Sequence, residues 1–195
     1  MSKAPSTFDE ILACARELIV AGGYNGFSYA DIAGIVGIRK PSIHHHFPSK
    51  VDLVQTLVVR YTEASRQGIA ALEDSVSDPL EQLRAYTGYW AACIENQSAP
   101  FCVCALLAGE MPILPEPVAL EVRAYFRFLS QWLAAVFERA AQSGKLKLRR
   151  PAPLEAEVFM ATVHGAMLSA RASGDGKIFS AIMNAQLEQM AALKR

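Results

Sequence analysis

Apolar residues recur at three- and four-residue spacing along most of this chain, the mark of amphipathic helices. Phe8, Ile11, Leu12, Ala15, Leu18 and Ile19 share one face of a first helix, capped by Ser6 or Thr7 and ended at Ala21-Gly22-Gly23. Tyr29, Ile32, Ala33 and Val36 make a short second helix. Ser28 caps it, Asp31 suits its first turn, and Gly37 stops it. Pro41 falls in the first turn of a third helix whose apolar side is Ile43 and Phe47. Ser49 and Asp52 cap a fourth, carrying Leu53, Leu57, Val58 and Tyr61, which Gly68 interrupts late.

The second half continues the pattern. Pro79 opens a fifth helix to about Asn96 with an aromatic stripe, Tyr86, Tyr89 and Trp90. Residues 101–110 read as a short apolar helix, and M-P-I-L-P-E-P after it as a loop. Residues 118–143 form a long seventh helix. Residues 153–172 and 177–193 form a terminal hairpin, the first of the two carrying Ala161, Gly165 and Ser169 in one row. The expected fold is all-α with about nine helices. A three-helix domain over 1–50 is expected to precede a larger helical bundle over 51–195.

Helix, glycine turn and short polar helix is the pattern of a helix-turn-helix that reads the DNA major groove. The polar positions suit that use. Arg39, Lys40, Ser42, His44, His45 and His46 all carry hydrogen-bond donors, and Lys50 adds a charge just beyond. Consecutive helical residues point ~100° apart, so the three histidines do not converge on one metal ion; a proton-dependent DNA affinity fits them better.

Composition narrows the picture further. The formal net charge is zero (19 Lys+Arg, 19 Asp+Glu). Within 1–50, Lys3, Arg16, Arg39, Lys40 and Lys50 barely outnumber Asp9, Glu10, Glu17 and Asp31. Binding to DNA therefore depends on a few clustered cations and on two subunits acting together, and should be sensitive to salt. Four cysteines, Cys14, Cys93, Cys102 and Cys104, make neither a disulfide framework nor a zinc-ligand spacing. No phosphate-binding, nucleophile-elbow or metalloprotease motif occurs, so neither catalysis nor a cofactor is expected. No leader or membrane-length apolar run opens the chain, and a cytoplasmic protein is expected.

I-R-K-P-S-I-H-H-H-F-P-S-K resembles the recognition segment of TetR-family transcriptional repressors. Gly37, Pro41, Ser42, Ile43, His46, Phe47, Ser49 and Lys50 match the family pattern, while His44 stands where a phosphate-contacting tyrosine is usual. The resemblance implies that Lys40, Ser42 and His45 face base edges, and that His44, His46 and Lys50 serve the backbone; Ser28 and Arg39 are further candidates for DNA contact. It also implies a homodimer through the last two helices, a double-stranded operator as partner, and a small-molecule effector.

Cys102, Leu107, Glu110, Leu114 and Pro115 form C-x4-L-x2-E-x3-L-P. This is similar to a branch of that family that includes the repressor of N-ethylmaleimide reductase and an acrylate-responsive repressor. The resemblance makes Cys102 a candidate electrophile or oxidant sensor, with Cys104 beside it. A cysteine in the first turn of a helix gains acidity from the helix dipole. The alternative is a reversible, mainly apolar or aromatic ligand, held by Tyr86, Tyr89, Trp90, Met111 and Phe126 with Glu110 or His164 as polar anchors.

Overall fold

The computed structural model describes residues 6–192. Within them the chain is helical throughout: α1 (Thr7–Gly22), α2 (Tyr29–Val36), α3 (Lys40–His46), α4 (Lys50–Ser75), α5 (Pro79–Glu95), α6 (Val103–Gly109), α7 (Glu116–Gln142), α8 (Ala152–Ser173) and α9 (Lys177–Ala192), with one 3₁₀ turn at Met111–Ile113. Leu193, expected on the apolar face of the last helix, lies outside the described residues. No described helix is long and apolar enough to cross a membrane.

Local chemistry sets most of the boundaries. Ser6 caps α1 by accepting the Asp9 amide. Ser28 and Asp31 form a reciprocal capping box on α2. Ser49 and Asp52 repeat that exchange at the start of α4, where each amide donates to the other's side-chain oxygen. Gly37 ends α2 in the left-handed region (φ 76°, ψ 30°), and its N–H and that of Ile38 both return to the Ala33 carbonyl. Asp78 caps α5 through the Leu80 amide and pairs with the Lys145 ammonium.

Two expectations about elements fail. Gly68 does not interrupt α4, which runs unbroken for 26 residues. A helix-interior glycine costs only about 1 kcal/mol, less than the hydrogen bonds on either side of it supply. Helix α6 begins at Val103, so Cys102 precedes it rather than standing in its first turn.

The chain divides into two compact units. The first comprises residues 1–64 and 103–125, the second 65–102 and 126–195. Both divisions fall inside long helices, α4 and α7. In the first unit, Ile11, Ala15, Ile19, Ile32, Ile43, Phe47, Leu53 and Val58 form the core, joined by Val103, Leu107, Val118 and Val122 from the later segment. Tyr61 meets Tyr125 here, with ring centroids 5.4 Å apart. In the second, Leu83, Leu129, Leu133, Val136, Phe137, Phe159, Val163, Phe179 and Met183 are buried together, and α9 packs on both α5 and α8. Arg139 bridges Glu73 and the buried Gln82 amide oxygen at 2.8 Å each, and the Trp132 indole N–H donates to the same Glu73.

Candidate nucleic-acid interface

Helix α3 is seven residues long, too short to hold its shape alone. It is fixed from below by Ile43 and Phe47, both buried. Phe8 of α1 stacks on Phe47 (4.8 Å), and the Tyr29 hydroxyl donates to the Phe47 carbonyl at 3.0 Å. Burial pushes the Tyr29 phenol up to about 12, with the Asp52 and Tyr24 charges adding to it, so it stays a donor. Helix α2 thus grips the C-terminal end of α3 through one hydroxyl.

The outer side of α3 presents Arg39, Lys40, His44 and His45 to solvent, with Ser42 half-buried. Lys40 sits near enough to Asp31 to help hold that carboxyl below its ordinary value, after the larger contribution of the Ser28 hydrogen bonds. The His44 Nδ1 lies 3.1 Å from the Pro48 carbonyl, which only accepts, so the contact requires the proton on Nδ1.

Two residues expected on the DNA backbone turn inward. His46 is half-buried, edge-on to Phe8 at 6.1 Å. Lys50 donates to the Phe27 carbonyl with its ammonium 4.0 Å from the Phe27 ring and 5.0 Å from the Tyr24 ring. Burial lowers its pKa, partly opposed by Asp31 and Glu110. Sequence spacing placed Lys50 beside the reader; it carried no sign of the aromatic pair that holds the ammonium.

The expected sensing residues are divided between the units. Glu110 and Met111 belong to the first. The Glu110 Oε2 accepts the Tyr24 amide at 2.7 Å, so this carboxylate is engaged with the turn between α1 and α2. Tyr86, Trp90, Phe126 and His164 belong to the second unit, while Tyr89 is turned to solvent, 60% exposed. Phe126 meets His164 edge-on at 5.3 Å. Two buried side-chain polar atoms among the described residues lack a hydrogen-bond partner, the Trp90 Nε1 and the His164 Nε2. Burial pushes the Tyr86 phenol up, with neighbouring Cys102 acting in the same sense and the Trp90 indole opposing it. Burial lowers His164 to about 4, so its ring is neutral. Cys102 and Cys104 are both 0% exposed.

A short exposed helix, held by a capped partner across a left-handed glycine, defines the helix-turn-helix class of regulator. Residues 11–57 match the model of bacterial regulatory proteins of the tetR family, and residues 79–186 match that of the tetracyclin repressor-like C-terminal domain. The chain belongs to the TetR family.

A TetR-family transcriptional regulator from Agrobacterium tumefaciens has a crystal structure similar to this one, at 62% identity and TM-score 0.92 over 94% of this chain and 97% of that one. The regulator CymR of Pseudomonas putida is 32% identical over 85 residues, 42% of this chain. The match spans 41% of CymR, less than half of that relative's length. The reduced form of E. coli NemR shares the fold, with TM-score 0.82 at 19% identity over 97% of this chain and 99% of that one.

Proposed function

We propose that this protein is a homodimeric, cytoplasmic transcriptional repressor that releases its operator when a small molecule acts on the second unit. The observation that carries the reading is the outer side of α3, where Arg39, Lys40, His44 and His45 are solvent-facing on a helix locked by Tyr29 and Phe47. Arg39 and Lys40 supply phosphate and guanine contacts, Ser42 and His45 reach base edges, and Ser28 approaches the backbone from the α2 terminus. Ala161, Gly165 and Ser169 lie exposed in one row on α8, and such small residues let a second copy approach closely. Two readers on such a dimer fit successive major grooves roughly 34–36 Å apart. A gel shift with the promoter upstream of its own gene tests this: the parent shifts it, and Arg39→Ala with Lys40→Ala does not. A double variant that shifts DNA like the parent removes the groove assignment.

For the signal, the unpartnered Trp90 N–H and neutral His164 favour a reversible, uncharged ligand bearing a hydrogen-bond acceptor. A buried N–H left without a partner costs about 1–3 kcal/mol, which a ligand acceptor recovers. Modification of Cys102 is the second reading, favoured by its place in the C-x4-L-x2-E-x3-L-P segment and by its closeness to the Tyr86 phenol. Cys104, two residues on, is the lesser candidate. N-ethylmaleimide separates the two. A thiol sensor loses DNA on treatment and its Cys102→Ser variant does not; a ligand sensor with silent cysteines keeps DNA in both.

A further inference from the structure

Glu110 follows α6, 86 residues along the chain from Tyr24, yet its carboxylate reaches the turn between α1 and α2. Oε2 accepts the Tyr24 N–H, a buried backbone donor that would otherwise be unsatisfied. Gly23 makes the approach possible. Its backbone (φ 76°, ψ −173°) is a glycine conformation, and a Cβ there would stand 2.0 Å from the Glu110 Oε1. The same turn carries the Tyr24 and Phe27 rings that hold the Lys50 ammonium at the start of α4. Glu110's charge favours the ionised form of that half-buried lysine. One residue past Phe27, Ser28 caps α2, and Tyr29 then bonds the end of α3. A continuous run of contacts therefore leads from Glu110 through Tyr24 and the capped α2 to the helix that faces DNA.

We propose that Glu110 is a positioning residue for the DNA reader, its carboxylate tying the α6 segment to the Tyr24–Phe27 turn so that α2 and α3 keep their register. This rests on the DNA-binding reading above. Glu110 itself touches no DNA in this scheme. The glutamate in C-x4-L-x2-E-x3-L-P thus has a role separate from the cysteine.

The test uses the full chain, with Glu110→Ala and Glu110→Gln, and a duplex that the parent selects from a random-sequence pool. Glu110→Gln keeps an acceptor for the Tyr24 amide. Losing a charge-assisted bond to a buried amide should weaken duplex binding about tenfold in the alanine variant, with the glutamine variant within about threefold of the parent. The salt dependence of the alanine variant should match the parent, since no phosphate contact is lost, whereas Lys40→Ala lowers its slope by about one. Hydrogen exchange without DNA should show faster exchange at Tyr24 and through α6 in the alanine variant, and less in the glutamine variant. Parental affinity in Glu110→Ala, equal losses in both variants, or a reduced salt slope in Glu110→Ala overturns the proposal. If the parent retains no duplex, the DNA-binding reading fails with it. Exchange then judges the clamp alone, and parental rates at Tyr24 in Glu110→Ala would remove that too.

Discussion

The Lys50 ammonium stands 4.0 Å from the centroid of the Phe27 ring and donates to the carbonyl of the same residue. A lysine held this way stabilises the turn before α2, and reaching a phosphate would require it to leave these contacts. Lys50→Ala should therefore lower stability by about 1–2 kcal/mol in chemical denaturation, from the lost cation–π and hydrogen-bond contacts. The salt slope of its DNA binding should stay parental. A slope reduced as in Lys40→Ala would show that the lysine swings out onto DNA.

Gly37 stands at φ 76° between the two reader helices. Alanine there strains the backbone, and asparagine tolerates the region better. Gly37→Ala should cost about 1 kcal/mol of stability and Gly37→Asn less. Thermal melts of the two variants check the order, and equal melting temperatures would deny that the left-handed cap matters.

His164 gives a pH dependence with a definite sign. Its pKa is about 4 in the folded protein against an ordinary 6.5. Between those values the unfolded chain binds more protons than the folded one, so stability rises with pH across the window. Acidifying from neutral to about pH 4 should progressively remove up to about 3 kcal/mol through this ring. The lowered carboxyls of Asp9, Asp31 and Asp78 act further down, from below their ordinary 3.8. Denaturation midpoints of His164→Asn between pH 7 and 4 should be flatter than the parent's; parallel curves would place the dependence elsewhere.

Gly165 lies on the exposed row of α8, and a Cβ there would meet nothing within 4 Å of its own chain. Leucine at this position should leave the protomer folded, with a gain of up to about 1 kcal/mol from helix propensity. It should also block the close approach of a second copy. Sedimentation of Gly165→Leu should report a monomer where the parent is a dimer. A dimer of unchanged strength would place the interface away from this row.

All four cysteines are buried, Cys14 and Cys93 slightly less completely than Cys102 and Cys104. A thiol reagent such as Ellman's should reach Cys102 in the native protein only as fast as the packing opens, and all four within seconds in denaturant. Rapid native labelling at Cys102, read by peptide mass, would mean that the packing around this thiol opens far more readily than its burial indicates.

The sequence made the local features legible and left the distant ones out of reach. The Ser28–Asp31 and Ser49–Asp52 boxes, the Gly37 stop and the Pro41 start each depend on residues within one helical turn, and each stands as read. The row of Ala161, Gly165 and Ser169 was likewise expected as one face of a helix. The contacts that Lys50, His46 and Glu110 make within the chain were not legible, because their partners are separated from them in sequence: Phe27, Phe8 and Tyr24. Tyr89 shares a helical stripe with Tyr86 and Trp90, yet lies far enough around the helix to face water. Periodicity marks a stripe but not the width that its neighbours cover.

Because residues 103–125 fold with residues 1–64, the DNA-reading part of this protein is not a contiguous cassette. A chimera exchanging only the first fifty residues would pair a new Gly23–Tyr24 turn with an old Glu110, and sequence changes on either side would have to be accepted by the other. Engineering a different operator preference should therefore transplant both pieces, or confine itself to the outward positions of α3.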